Sequence, residues 1–346
     1  MNIEMKRGRW KLSDLAGVRG NGLNVFSCFH CGGGSSMGYK LAGYEVLGGV
    51  EIDKEIMALY RENMHPKHSY LMSVQDFNKM PDADIPKELF GIDVLDGSPP
   101  CTVFSMAGKR EELWGQEHHF REGQAVQILD DLFFHFIETV KRLQPKVVIA
   151  ENVKGLILGD AKGYVKEIFQ KFIEAGYDVQ LFLLNSARMG VPQSRERTFF
   201  LARRKDLNLP KIQFKFGEPT IPVSEAIGWV AGMSEPKPLP KSLRELWEKA
   251  QVGRSFSEYH ATGSFFNNKK SDPNLPVSTL TATTPFRPIH WSKPEFFSDA
   301  EIVVIQSFPD DYNFLNQDPQ YVCGMSVPPF MMQRVAVQVA EQWFAR

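Results

Sequence analysis

Asn24-Val25-Phe26-Ser27-Cys28-Phe29-His30-Cys31-Gly32-Gly33-Gly34-Ser35-Ser36-Met37-Gly38 is the stretch on which the fold turns. An apolar run of strand character stops at a cluster of glycines, and a segment of helical pattern comes next. That order makes a strand–turn–helix unit whose backbone can approach a ligand closely. The next apolar run, 44–52, ends in Glu51, about 20 positions further on, where a carboxylate can accept from ribose hydroxyls. A tight turn without a ligand has the same sequence, so the turn gains meaning only from the motifs further along the chain.

Further runs rich in β-branched or aromatic residues occupy 92–97, 146–152, 178–185 and 197–204, and between them 125–142 and 162–175 carry apolar residues at helical spacing. Continuous apolar strands alternating with helices predict an α/β, Rossmann-like architecture with a mostly parallel, doubly wound sheet. Beyond about residue 205 the alternation stops and prolines cluster (Pro210, Pro219, Pro222, Pro236, Pro238, Pro240). The expected division is a first domain over 1–204, completed by 301–346, and a smaller irregular domain over 205–300. Residues 326–346 read as a helix whose first turn is marked by prolines.

With 346 residues, 43% of them hydrophobic and 23% charged, the chain has the composition of a folded enzyme. No apolar run reaches the roughly 18 residues of a membrane span, and the first residues lack the apolar core of a signal peptide. The cytoplasm is the expected location. A net charge of -1 excludes a protein that coats nucleic acid over its whole surface but allows a local basic groove. Four cysteines are too few for a disulfide scaffold. Cys28 and Cys31 would supply half of a zinc site, yet no second C-x-x-C exists, so no metal is expected and two small core thiols are the better reading.

Three further motifs carry chemistry. Asp96-Gly97-Ser98-Pro99-Pro100-Cys101 sets a cysteine after a proline-stiffened turn at the carboxyl edge of the sheet, and the polar segment after it, to about Gly123, is expected to close over a substrate. Glu151-Asn152-Val153 ends the fourth run at the same edge, and Gln193-Ser194-Arg195-Glu196-Arg197 precedes the last. Singly, each has a plain reading: a buried cysteine, a helix-capping acid, a pair of surface arginines.

Taken in this order, with Gln306-Ser307-Phe308-Pro309-Asp310-Asp311-Tyr312 and Ser326-Val327-Pro328-Pro329 near the end, the pieces resemble the cytosine-5 DNA methyltransferase family. The resemblance implies S-adenosylmethionine as cofactor, leaving S-adenosylhomocysteine, with Cys101 as nucleophile. Glu151 would hold the cytosine ring edge and Arg195 the base carbonyl, with Gln193 and Arg197 in support. It implies a cofactor pocket in which Phe29 packs on the adenine, Glu51 holds the ribose, and Ser73 and Val74 meet the adenine edge. Leu132 and Ser326 would complete that pocket, lined also by His30, Cys31, Gly32, Gly33, Ile52, Pro100 and Met325. Cys31, Ile52, Ser73 and Met325 depart from the family's usual residues, all on the cofactor side.

Double-stranded DNA is the implied partner, read by 205–300, with Arg203, Arg204, Lys205, Lys211, Lys215, Arg254, Lys269 and Lys270 available for phosphates. A separately encoded restriction endonuclease is the other implied partner; a monomer is expected. RNA cytosine methylation is a second reading, but that branch's Cys-Phe-Thr signature is absent from 205–300. A non-catalytic DNA-binding homologue is a third, with no chemical need for Cys101, Glu151 and Arg195 together. A thiol-redox role for Cys28 and Cys31 is the fourth.

Overall fold

The computed structural model describes residues 9–100, 117–118, 127–128, 131–158, 162–282 and 286–345. They form two compact units: 19–184, 196–214 and 335–345 in the larger, and 9–18, 185–195 and 215–334 in the smaller.

The larger unit is built on seven strands: β1 (Asn24–Cys28), β2 (Glu45–Glu51), β3 (His68–Leu71), β4 (Val94–Gly97), β5 (Val147–Val153), β6 (Tyr177–Asn185) and β7 (Glu196–Arg204). Their order across the sheet is β3-β2-β1-β4-β5-β7-β6. β1 through β5 pair in parallel, whereas β7 runs antiparallel to β5, with Arg197 opposite Val153 and Phe199 opposite Glu151. The chain leaves β1 towards β2 and β3, then returns to lay β4 on the other side. This makes a switch point at the β1/β4 carboxyl ends, where open α/β sheets bind ligands.

Six of these strands lie on the apolar runs of the sequence. β3 does not, because His68-Ser69-Tyr70-Leu71 is short and lies at the sheet edge with no buried residue, so it needs no apolar run. Helices α1 (Gly34–Leu41), α2 (Lys54–Met64), α3 (Val74–Lys79), α4 (Leu132–Leu143) and α5 (Lys162–Glu174) connect the strands. The described part of the segment 125–142 becomes helical at Leu132, and its apolar stripe of Phe133, Phe136, Ile137 and Val140 is buried with Phe26, Leu95, Val148 and Phe200. Phe133 meets Phe200 edge-on at 5.2 Å. Each such ring contributes about 1.5–3 kcal/mol by leaving water, so this stripe holds the helix on the sheet.

The smaller unit contains α6 (Val223–Gly228), α7 (Lys241–Lys249), α8 (Asp299–Ile305) and α9 (Pro319–Met325), and α10 (Pro329–Val339) begins in it. Gln193–Ser194 pairs in parallel with Val277–Ser278, and Leu239, Leu243, Leu246, Phe256 and Ile289 form a separate small core. By contacts, 301–334 group with 215–300, and 335–345 with the sheet. No helix among the described residues is long and apolar enough to cross a membrane.

Candidate active site

The turn after β1 is held in an unusual backbone path. Phe29, Cys31 and Gly33 have φ of 58°, 47° and 79°, so three of five consecutive residues are left-handed, and the Gly33 N–H closes the turn on the His30 carbonyl at 2.9 Å. A side chain at Gly33 would also press on the Tyr60 ring at 3.1 Å. His30 lies beneath the turn: its buried ring stacks on Tyr60 with centroids 3.6 Å apart, and burial pushes its pKa down to about 4. A Cβ at Gly49 would lie 2.6 Å from this ring and 2.3 Å from the Ser27 carbonyl, so β2 needs glycine there. His30 therefore supports the turn from below, and Phe29, half-buried, packs against the core from the same loop.

Glu51 closes the other side. Its Oε1 accepts the Ile52 and Asp53 N–H groups at 2.9 and 3.1 Å, and Oε2 accepts Cys31 N–H at 3.3 Å. Desolvation is the largest influence on this carboxyl and outweighs these donors, raising its pKa to about 7. Among the described residues Oε2 carries that single long bond, so it retains acceptor capacity for a hydroxyl.

Ser73, by contrast, is engaged. It caps α3, accepting Asp76 N–H at 3.0 Å and donating to the Asp76 carboxylate at 2.7 Å. Val74 and Leu132 are buried, Ile52 is half-buried, and Gly32 is buried in the turn. Cys28 and Cys31 form no disulfide, and burial pushes the Cys28 thiol far above its usual range, which disfavours it as a redox nucleophile.

At the β4/β5 edge the two chemical motifs are tied together. Asn152 donates from its side chain to the Pro99 carbonyl at 3.0 Å, bracing the proline turn against β5. Pro99 is buried and Pro100 half-buried; Cys101 and nearly all of the loop to Gly123 lie outside the described residues. Glu151 is buried, and its carboxylate meets the Arg197 Nε at 3.0 Å. Burial pushes the Arg197 guanidinium down from its usual range, and Glu151 pulls it back.

Asp96, unmarked as a site in the sequence, is also buried here. It accepts from the Ser27 and Tyr39 hydroxyls at 3.1 and 3.2 Å, and burial, with the nearby charge of Glu151, raises it to about 7. A carboxylate inside the apolar run 92–97 was the signal that could have found it.

The remaining motif residues belong to the smaller unit. Gln193 accepts Leu280 N–H at 2.9 Å and donates to the Gln306 side chain at 2.6 Å; Gln306 donates onward to the Ser326 carbonyl at 2.7 Å. Motifs more than a hundred residues apart are thereby joined in one buried relay. Arg195 donates to the Leu280 and Gly324 carbonyls at 2.9 and 3.0 Å. Ser326 is buried and Met325 exposed at the end of α9.

Arg195 and Arg197, two residues apart, do not lie on one strand. The chain leaves the short ladder after Ser194 and enters β7 at Glu196, so Arg195 lies between the two elements and Arg197 on β7. Arg197 is the residue whose Nε meets Glu151.

Several cations expected at phosphates are also engaged. Arg203 is buried and bonds Gln180, Arg204 pairs with Asp206, Arg254 with Glu258, and Lys270 sits 3.8 Å over the Trp247 ring. Lys211 and Lys269 are exposed.

Comparisons with known proteins identify the family and the fold. The pattern of the family described as C-5 cytosine-specific DNA methylase matches residues 23–341. The chain is 28% identical to the type II methyltransferase M.FnuDI of Fusobacterium nucleatum, across 92% of this chain and 94% of that one. It is 30% identical to the type II methyltransferase M.Sau96I of Staphylococcus aureus, across 91% and 75% respectively. In fold it is similar to a crystal structure described as a DNA modification methyltransferase encoded within an Escherichia coli prophage. The TM-score there is 0.70 at 20% identity, covering 92% of this chain and 99% of that one.

Proposed function

Since the chain belongs to the C-5 cytosine-specific DNA methylase family and is a DNA cytosine-5 methyltransferase, we propose that it methylates a cytosine swung out of duplex DNA at a short sequence, through a covalent adduct to Cys101. The observation that carries this reading is the buried Glu151–Arg197 pair, on the strand end whose Asn152 braces the turn leading to Cys101.

Carbon 5 of cytosine is a poor nucleophile. Addition of the Cys101 thiolate to carbon 6 pushes electron density towards carbon 5 and splits one hard step into easier ones. Glu151 at N3 answers the charge that builds on the ring, and Arg197, beside it, is the better placed guanidinium for the base carbonyl. Arg195 and Gln193 act as positioning residues through the carbonyls and amides they hold. Release of the carbon 5 proton to a base and departure of the thiolate complete the cycle. Extruding the base costs a few kcal/mol, offset by pocket contacts.

The residues of the β1 turn fit S-adenosylmethionine, because Glu51 retains acceptor capacity where a ribose hydroxyl can donate and the left-handed turn keeps its backbone open to close approach. When bound, that cofactor would supply the methyl group. Glu51, Phe29, Cys31, Gly32, Gly33 and Ile52 would hold it, with His30 as support. Ser73 contributes less than the resemblance implies, since its hydroxyl is committed to Asp76. Residues 205–300 would read the sequence, in a cytoplasmic enzyme that works beside a restriction endonuclease.

Tritiated S-adenosylmethionine incubated with mixed-sequence duplex DNA, and with transfer RNA in parallel, tests the proposal. Label is expected in DNA; its absence from DNA at every site, or its appearance in RNA alone, would refute it.

The Glu51 carboxyl gives a pH signature. A ribose hydroxyl donates to the ionised form, so binding should pull its pKa below the free value of about 7. Affinity for S-adenosylhomocysteine should therefore rise with pH up to about 7 and level off above, changing by up to about tenfold per unit below it. Calorimetry on the wild type and Glu51→Gln reads this. The same pH dependence in both proteins would show that Glu51 is not the group responsible.

A further inference from the structure

Phe266, at 77% exposure, is the most exposed of the large hydrophobic side chains among the described residues. It lies in a loop of the smaller unit, close to the bridge between Ser255 and Lys269 that closes it. The loop is well held. Phe256 N–H donates to the Asn268 carbonyl at 2.9 Å, Asn268 N–H to the Phe265 carbonyl at 3.0 Å, and the Ser255 hydroxyl to the Phe266 carbonyl at 2.9 Å. Lys270, over Trp247, also donates to the Trp247 and Ala250 carbonyls.

Phe265 takes a φ of 67°, costly for an aromatic residue. Its ring packs against the core of Phe256 and Leu243 while the next ring is turned out into water. Two adjacent phenylalanines thus have opposite fates, fixed by backbone conformation.

The surroundings of Phe266 are polar. Asn267 and Lys269 are exposed beside it, and Lys269 pairs with no carboxylate among the described residues. Both line a cleft shared with Asp272, Leu275, Ser278, Thr279 and Arg287. A second copy of this chain would need a broad apolar face to make a stable dimer. An exposed aromatic plane followed in the chain by an exposed amide and an exposed cation fits instead a nucleotide, with its flat face, hydrogen-bonding edge and phosphate.

We infer that Phe266 wedges into a base step of the duplex substrate and stacks on the base face it opens, while Lys269 meets a neighbouring phosphate, so that this loop helps fix where on the DNA the enzyme stops. The inference rests on the DNA reading above and names a contact within it.

The experiment uses the full-length protein. Sites methylated in plasmid DNA are mapped by bisulfite sequencing, and duplexes carrying the mapped site are titrated with wild type, Phe266→Ala, Phe266→Trp and Lys269→Ala across a range of salt. Phe266→Ala should bind roughly five- to a hundredfold more weakly, with an unchanged slope of log affinity against log salt, because stacking releases no counterions. Phe266→Trp should stay close to wild type, and Lys269→Ala should flatten the slope by about one. If Phe266→Ala binds as tightly as wild type, or loses self-association and nothing else, the stacking contact is overturned while the DNA reading stands. If wild type itself binds and labels no duplex, the DNA reading falls and takes this inference with it.

Discussion

Cys101→Ser protein is expected to transfer no detectable methyl group to DNA, a fall on the order of 10⁴-fold or more in kcat, while unfolding at nearly the wild-type temperature. The size of the effect comes from the order of events. Without an adduct at carbon 6, carbon 5 has no electron density to offer, and a serine hydroxyl, far harder to deprotonate than a thiol, does not form that adduct at neutral pH. Serine is close to cysteine in volume, so little stability is at stake. A duplex carrying 5-fluorocytosine gives a second readout. Once methylated, the fluorinated ring has no carbon 5 proton to lose, so the thiolate cannot depart and the wild-type complex should survive a denaturing gel. The serine variant should give no such band. Wild-type turnover by Cys101→Ser would end the covalent mechanism.

What the sequence discloses depends on which physical signal a residue leaves. Interior strands buried on both faces must be apolar throughout, so β1, β2, β4, β5 and β7 are legible as runs; of the two edge strands, β6 still carries an apolar run, whereas the four residues of β3 do not. Glu51 could be placed because its distance from the glycine turn is set by the length of one helix and one strand.

The parts played by Arg195 and Arg197 could not be assigned, since spacing by two implies a shared face only while both residues stay on one strand. Here the strand starts between them. Asn152 reads as the middle of a motif, and its bond to the Pro99 carbonyl depends on the pairing of β4 with β5, which no local pattern encodes. His30 reads as a residue of the cofactor turn; its stacking on Tyr60 depends on where α2 lies. The relay from Gln193 through Gln306 to Ser326 links segments that are remote in sequence. Their recurrence together in one family is the trace it leaves in the chain.

Glu151→Gln should lower kcat by roughly 10²- to 10⁴-fold with a much smaller change in the affinity for DNA, because glutamine keeps the shape but can neither hold nor deliver the proton that the ring nitrogen needs. Arg197→Ala should be comparably damaging for a linked reason. Glu151 is buried and Arg197 is its charged partner at 3.0 Å, so removing the guanidinium leaves a carboxylate unpaired inside the protein. The two residues act as one device, so the double variant Glu151→Gln, Arg197→Ala should be little worse in kcat than either alone.

Arg195→Ala is the control, and it should behave differently. Its guanidinium holds the Leu280 and Gly324 carbonyls, each bond being worth about 1.5–3 kcal/mol, so the loss should appear first as a lower unfolding temperature. Single-turnover rates and thermal melts on the four proteins decide between the arginines. If Arg195→Ala keeps its melting temperature and loses the rate, while Arg197→Ala turns over normally, the base carbonyl belongs to Arg195 and the ion pair at the end of β5 is only structural.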